Sequence, residues 1–143
     1  MLMGIDPILT GQLLHRLDAM GHSDAIAVVD AHFPAQRLSS RVIELPGLST
    51  PVVLAAISTV IPLDDAPAVD LMTSADGLVL PVQDALIEAV GVSSANVRFV
   101  SRHEFYELAA SAFVVVRTGE TRIFGNALIR KGVVQPTLEM NNE

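Results

Sequence analysis

The chain contains no cysteine and no tryptophan, and only one of its 143 residues is a tyrosine. The lack of cysteine excludes disulfides, thiolate nucleophiles and zinc-thiolate sites. Basic residues are also few, since 9 Lys and Arg stand against 16 Asp and Glu for a formal net charge of -7. A phosphate backbone is bound by a basic patch, so this balance argues against it. We therefore expect no nucleic-acid partner.

Long hydrophobic runs are absent as well. The apolar stretches are shorter than the roughly 20 residues that span a bilayer, and residues 1–11 lack the basic and apolar regions of a leader peptide. The sequence has no G-x-S-x-G nucleophile elbow and no glycine-rich phosphate loop, which disfavours covalent catalysis. We expect a cytoplasmic protein without a membrane partner.

Aliphatic residues are what the chain has in excess. Hydrophobic residues make up 50% and charged residues only 17%, which is more apolar surface than a lone domain of this size needs to bury. We interpret the surplus as subunit contact and expect a homo-oligomer. The length fits one domain at residues 1–136. Residues 137–143 have no core pattern and are expected to form a frayed tail.

Helical and strand patterns alternate along the sequence. We predict helices over residues 10–20, 49–61, 81–90 and 102–110, and strands over residues 25–29, 41–45, 69–72, 97–100 and 113–117, with a final strand around Ile123 and Leu128. Helices alternating with short apolar strands predict an α/β fold, a three-layer α/β/α sandwich. The turn at residues 118–120 predicts a hairpin between the last two strands, which would make the sheet mixed.

Two titratable side chains flank the first predicted strand. His22 precedes it and Asp30 follows it, so they lie at opposite ends of one short element. Each has a structural and a functional interpretation. His22 could be an exposed histidine favoured by a helix C-terminus, or a proton carrier. Asp30 could accept hydrogen bonds from the backbone of the loop at residues 31–35, or bind a ligand at the strand end.

Other polar residues are candidates for a metal site or a ligand-binding site. His22, Asp30 and His32 carry side chains that bind divalent ions, but Pro34 argues that the strand ends too early for Asp30 and His32 to share a face. We therefore expect no metal site. Arg102 opens a predicted helix, where anions are favoured over cations, and this suggests a hydrogen-bonding task. The aromatic residues that follow it are interpreted mainly as core.

Four blocks of sequence carry a resemblance that spacing alone does not give. They are M-G-H-x-D at residues 20–24, D-A-H-F-P-A at 30–35, R-x-x-F-Y-E at 102–107, and T-G-E at 118–120 followed by G-N and K-G-V. In these blocks the chain resembles the L-fucose mutarotase family, relatives of the bacterial ribose pyranases, over nearly its whole length. The resemblance implies interconversion of the α and β anomers of L-fucose or a related monosaccharide, without a cofactor.

The resemblance also implies roles for particular residues. His22 matches the family's proton donor, Asp30 and Arg102 match sugar-binding residues, and the last sugar-binding segment corresponds to Phe124, Gly125 and Asn126. The family usually has tyrosine where this chain has Phe124, so one hydroxyl is missing. Ring-like assemblies, often decamers, with sugar sites near subunit contacts are implied too. A non-catalytic sugar-binding or uptake-accessory protein, and an oligomeric structural module, remain as alternatives.

Overall fold

The computed structural model describes residues 1–65 and 67–136, so the tail predicted at residues 137–143 lies outside the described residues. The helices are α1 (Gly11–Ala19), α2 (Ala35–Leu38), α3 (Thr50–Ser58), α4 (Pro81–Val90) and α5 (Arg102–Ser111), with one 3-10 turn (Ser94–Asn96). The strands are β1 (Ala25–Val29), β2 (Val42–Leu45), β3 (Val69–Met72), β4 (Val97–Val100), β5 (Val114–Thr118) and β6 (Ala127–Arg130). No helix among these residues is long and apolar enough to cross a membrane.

The six strands form one mixed sheet in the order β2-β5-β1-β6-β3-β4. The pairs β2 with β5, β5 with β1, and β3 with β4 are parallel. Strand β6 lies antiparallel between β1 and β3. Five strands therefore run in one direction, and only β6 runs against them.

The predicted hairpin between the last two strands is wrong. Both edges of β5 are occupied by β1 and β2, so β6 pairs on the far side of β1. The turn closes against a different loop: the Gly119 N–H donates to the Leu48 carbonyl at 2.8 Å, and a Cβ on Gly119 would lie 1.8 Å from the Pro46 carbonyl oxygen. Ile123, predicted in the last strand, lies exposed in the connection. The sheet is mixed, as predicted, but the reason is the antiparallel position of β6 between β1 and β3 and not a hairpin.

Helices cover both faces of the sheet, which confirms the three-layer sandwich. One face packs against α1, α3 and α4 through a core that includes Leu13, Leu54 and Leu86. The other packs against α2 through Ala35 and against α5 through Phe105 and Ala109. Strand β1 supplies both cores, because alternate side chains of a strand point to opposite faces and all four residues after Ala25 are buried. The short helix α2 was not predicted.

Candidate functional site

Two opposite edges of the sheet carry the residues singled out in the sequence. We call the edge where β1, β3, β4 and β5 end the upper edge, and the edge where β1 begins the lower edge. Asp30 and Arg102 follow β1 and β4 at the upper edge. Phe124, Gly125 and Asn126 reach the same edge, because they precede the antiparallel strand β6. His22 precedes β1 and lies at the lower edge.

Within one chain His22 is therefore remote from the other candidates. All five residues of β1 separate it from Asp30, and at about 3.3 Å per residue they span roughly 16 Å. The structure brings together Asp30, Arg102, Phe124, Gly125 and Asn126, and leaves out His22. The metal site weighed from His22, Asp30 and His32 cannot assemble within one chain for the same reason.

The upper edge holds an open cavity of about 220 Å³. Its walls combine one carboxylate, one guanidinium, one amide, one imidazole and several apolar or aromatic groups, contributed by Asp30, His32, Phe33, Met72, Arg102, Tyr106, Ile123, Phe124 and Asn126. A larger cavity of about 510 Å³ lies against the N-terminal segment. That cavity is lined mainly by aliphatic residues and has Asp6 as its one carboxylate, so the upper cavity has the richer chemistry.

Asp30 is buried at the floor of the upper cavity, with only 3% of its surface exposed. Its Oδ1 accepts from the His32 backbone N–H at 3.0 Å, so Asp30 caps the following loop, which is one of the two interpretations left open by the sequence. Burial raises the pKa of Asp30 above its ordinary value, although the His32 N–H, the His32 ring and the groups at Asn126 and Gly125 oppose this. The carboxylate thus has a structural bond and still faces the cavity.

Asn126 ties Asp30 to strand β6. Its Oδ1 accepts from the Asp30 backbone N–H at 2.8 Å. An amide whose oxygen is occupied in this way presents its NH₂ group as donor, and that group contributes to holding down the pKa of the Asp30 carboxyl. Carboxylate and amide form one preorganised donor and acceptor pair, which suits a ligand with adjacent hydroxyls.

Arg102 is the first residue of α5 and stands exposed at the rim of the cavity. Ser101 caps the helix by accepting from the Glu104 N–H at 3.2 Å, so the helix start does not depend on the Arg102 side chain. Within residues 1–65 and 67–136 the guanidinium makes no hydrogen bond or ion pair. Its five donors are available to an oxygen-rich ligand, in line with the hydrogen-bonding task expected from the sequence.

Phe124 takes an uncommon backbone conformation beside Arg102. Its φ is 60°, a region where bulky residues are outliers and which clusters at functional sites. The next residue, Gly125, allows a close approach, because a Cβ there would lie 3.0 Å from the Glu120 Cγ and 3.2 Å from the Arg122 carbonyl oxygen. The loop is thus compressed so that the ring of Phe124 forms part of the cavity wall.

Glu120 fixes the shape of this loop from below. It is buried, and its carboxylate accepts from the guanidinium and the backbone N–H of Arg122. Arg122, as the main cause, holds the pKa of Glu120 below its ordinary value. The Glu120 carbonyl also accepts from the Ala31 N–H at 2.9 Å, which links the loop to the segment after Asp30.

Two cavity residues were missed as ligand contacts in the sequence. Tyr106, interpreted as core, lies on the cavity wall, with its ring edge-on to Phe33 at 5.2 Å between centroids. His32, considered only as a metal ligand, places Nε2 3.1 Å from the Thr121 carbonyl. Because a carbonyl only accepts, Nε2 carries the proton and Nδ1 is an acceptor. Neither signal was readable from spacing, since both depend on which loops meet at the upper edge.

At the lower edge His22 has its own polar contacts. Its Nε2 lies 3.0 Å from Asp64 Oδ1, and its side chain is 60% exposed. Lys131 closes the helix before it, because Nζ donates to the Leu17 and Met20 carbonyls at 2.7 Å each. The exposed position predicted for His22 is confirmed, and the imidazole is free to meet another molecule.

An α/β fold with a mostly parallel sheet and a polar pocket at the carboxyl ends of the parallel strands is the ordinary setting for binding a small ligand. Residues 3–134 match the model of the RbsD / FucU transport protein family, and the chain belongs to this family.

Individual relatives agree with the family match. A fucose mutarotase of Danio rerio is 40% identical over 147 residues, covering 94% of this chain and 95% of the relative. An L-fucose mutarotase of Haemophilus influenzae is 39% identical over 142 residues, covering 93% and 97%. The solved structure of the fucose mutarotase from Streptococcus pneumoniae in complex with L-fucose superposes with a TM-score of 0.85 at 30% identity, covering 94% and 100%.

Proposed function

We propose that this protein is a mutarotase that interconverts the α and β anomers of L-fucose or a closely related reducing monosaccharide. The reaction removes the proton of the anomeric hydroxyl and protonates the ring oxygen, so that the bond between C1 and the ring oxygen breaks. Rotation about the C1–C2 bond and reclosure on the other face give the second anomer. Positioned acid-base groups supply rate factors of roughly 10² to 10⁴, which suffice for this step.

The upper cavity is the observation that carries the proposal. Asp30 and Asn126 offer an acceptor and a donor side by side, and Arg102 adds unengaged donors at the rim. Phe124 and Tyr106 give aromatic surface for the apolar faces of a sugar ring. The relatives named as fucose mutarotases and the neighbour solved with L-fucose support a sugar as the ligand.

His22 is proposed as the proton donor, supplied by a neighbouring copy of the chain. It is too far from the cavity to act within its own chain, yet it is exposed, and an imidazole can both donate and accept a proton. This requires a closed assembly in which the lower edge of one copy meets the upper edge of another, such as the ring-like decamer expected from the resemblance. We also propose that the protein is cytoplasmic, as expected from the sequence.

A non-catalytic sugar-binding protein is the second candidate, and Phe124 is the observation that favours it. If the hydroxyl found at this position in the family is an obligatory proton carrier, the cavity would bind a sugar without accelerating exchange. Arg102 and Asp30 would serve this function equally well. Exchange rates therefore decide between the candidates, whereas sugar affinity does not.

Saturation-transfer NMR on the anomeric protons of L-fucose tests the proposal. We expect the wild-type chain to accelerate exchange between the anomers, and His22→Gln to lose most of that acceleration. His103→Gln is the matched control, because His103 is exposed on α5 and does not line the cavity. Saturable binding without faster exchange would select the second candidate. Absence of any saturable binding would leave a structural module.

The same measurement over a panel of sugars defines the substrate. L-fucose, D-ribose, D-galactose and D-glucose differ in hydroxyl pattern and in the group at the end of the ring. Because Asp30 and Asn126 form a fixed pair, we expect exchange to be accelerated for sugars whose hydroxyls match it. L-fucose is expected to show the greatest kcat/KM.

A further inference from the structure

His22 is hydrogen-bonded to Asp64, and Asp64 is in turn hydrogen-bonded to Ser23. An exposed histidine does not need such partners. Asp64 Oδ1 lies 3.0 Å from His22 Nε2, and Asp64 Oδ2 accepts from the Ser23 hydroxyl at 2.7 Å. Both carboxylate oxygens are engaged, one by the imidazole and one by a hydroxyl. The Asp64 side chain is 17% exposed while that of His22 is 60% exposed, so the carboxylate lies behind the ring.

Backbone hydrogen bonds attach both Ser23 and Asp64 to the end of β6 and the residue that follows it. The Ser23 N–H donates to the Lys131 carbonyl at 2.8 Å, and the Asp64 N–H donates to the Arg130 carbonyl at 3.0 Å. Leu63 and Lys131 form an antiparallel bridge. Ser23 and Asp64 are 41 residues apart in sequence but are fixed to the same continuation of β6.

The backbone at Gly132 and at Ser23 is also adapted to hold Asp64 close to His22. A Cβ on Gly132 would lie 2.4 Å from the Leu63 carbonyl oxygen, so only glycine lets the Asp64 segment approach this closely. Ser23 has a φ of 69°, a conformation that glycine adopts freely and serine rarely does. A serine kept there at a conformational cost is explained by its hydroxyl, which donates to Asp64.

The hydrogen bonds define the state of the ring. The Ser23 hydroxyl, followed by His22 and the Asp65 N–H, holds the pKa of Asp64 below its ordinary value, so the carboxylate is ionised and only accepts. His22 must then donate from Nε2, which leaves Nδ1 as the nitrogen that exchanges a proton. A carboxylate behind a catalytic imidazole fixes its tautomer and orientation.

We propose that Asp64, held by Ser23, is a positioning residue that orients His22 so that Nδ1 faces the sugar bound by a neighbouring copy. This inference rests on the proposed function, since it assigns a role toward His22 as proton donor. Asp64 does not touch the substrate. It acts by fixing which nitrogen of His22 exchanges the proton and where that nitrogen points.

The test compares kcat and KM of Asp64→Ala with those of Asp65→Ala for L-fucose exchange. We expect Asp64→Ala to lower kcat about tenfold to a hundredfold, the range found when a carboxylate partner of a metal-ligating histidine is removed, with KM within about threefold of wild type. Added formate should restore part of the rate, because it can occupy the space of the missing carboxylate. Asp65→Ala, which removes a neighbouring exposed charge, should match wild type and not respond to formate.

Ser23→Gly separates positioning from stability. Glycine relieves the positive φ and removes the hydroxyl, so kcat should fall several-fold while the melting temperature stays equal or rises. This variant also serves if Asp64→Ala does not fold. Wild-type kcat in Ser23→Gly, or in Asp64→Ala, would overturn the proposal. So would an Asp64→Ala defect that lies in KM alone or is not restored by formate.

The outcomes also distinguish this inference from the proposed function. Full activity in His22→Gln would show that the assignment of the proton donor is wrong, whatever Asp64 does. Loss of activity in His22→Gln together with normal kcat in Asp64→Ala would leave the mutarotase standing and remove only the positioning role.

Discussion

Phe124 contributes a ring to the cavity wall but no hydroxyl, at a backbone φ of 60° that the surrounding loop imposes. If the family's tyrosine only orients a water or a sugar oxygen, the missing hydrogen bond is worth about 0.5 to 1.5 kcal/mol. Phe124→Tyr should then raise the exchange rate by about tenfold or less. A gain of several hundredfold, measured by the same NMR exchange, would mean that the natural chain has lost the chemistry.

Asp30 combines its proposed sugar-binding role with a cost to the fold. Because burial raises its pKa, ionisation above its ordinary value of 3.8 destabilises the folded state as pH rises. In Asp30→Asn the oxygen of the new side-chain amide can still accept from the His32 N–H, but the negative charge is removed. We expect sugar affinity to fall and the melting temperature at pH 7.5 to rise.

The stability gain in Asp30→Asn should vanish toward acid pH, since the wild-type carboxyl is protonated below its ordinary value of 3.8. Thermal melts between pH 3 and pH 8 check the sign. A variant that is less stable at pH 7.5 would contradict the view that burial dominates at Asp30. Unchanged sugar affinity would return Asp30 to its loop-capping role alone.

At the scale of elements, the turn after β5 shows where local sequence is not decisive. The T-G-E motif predicted a hairpin, but Gly119 is required by its approach to the Pro46 carbonyl, with 1.8 Å left for a Cβ. Gly119→Ala should therefore lower the free energy of unfolding by about 2 kcal/mol or more, because backbone would have to move. Gly47→Ala is the control, since no atom lies within 4 Å of its Cβ position.

Urea denaturation checks this pair of variants. Gly47→Ala should stay within about 0.5 kcal/mol of wild type, as surface substitutions do. Equal stability of Gly119→Ala and wild type would mean that the loop between β5 and β6 is not packed against the loop after β2. Because this loop carries Phe124, Gly119→Ala should also impair sugar binding.

Several elements were predictable because their signals are local. The apolar run of β1, the proline at the start of α3 and the glycine after α4 mark elements that the structure confirms. The position of β6 between β1 and β3 was not predictable, since it depends on pairing between residues 26 and 129. Tyr106 packs against the core, as predicted, but it also lines the cavity, and core and cavity wall give the same apolar pattern until the neighbouring loops are placed.

For the whole molecule, the separation of His22 from the cavity and the excess of apolar residues have one explanation. Both are expected if copies of the chain contact each other through apolar surface and complete each other's sites. A single chain holds the proposed sugar-binding residues at the upper edge and the proposed proton donor at the lower edge. Only a closed assembly can place them together at every site. We expect sedimentation at micromolar concentration to give a mass several times that of the 15.2 kDa chain. A species of 15.2 kDa under these conditions would contradict the proposed assembly.

Mixing two inactive variants tests whether each site combines His22 of one copy with the cavity of another. His22→Ala and Arg102→Ala should each be nearly inactive in L-fucose exchange, because each removes one part of every site. When they are co-expressed in equal amounts and purified together by two different tags, about one quarter of the sites should receive His22 from one copy and Arg102 from another. We expect recovery to roughly a quarter of wild-type exchange. Mixed assemblies that remain as inactive as their parents would contradict it.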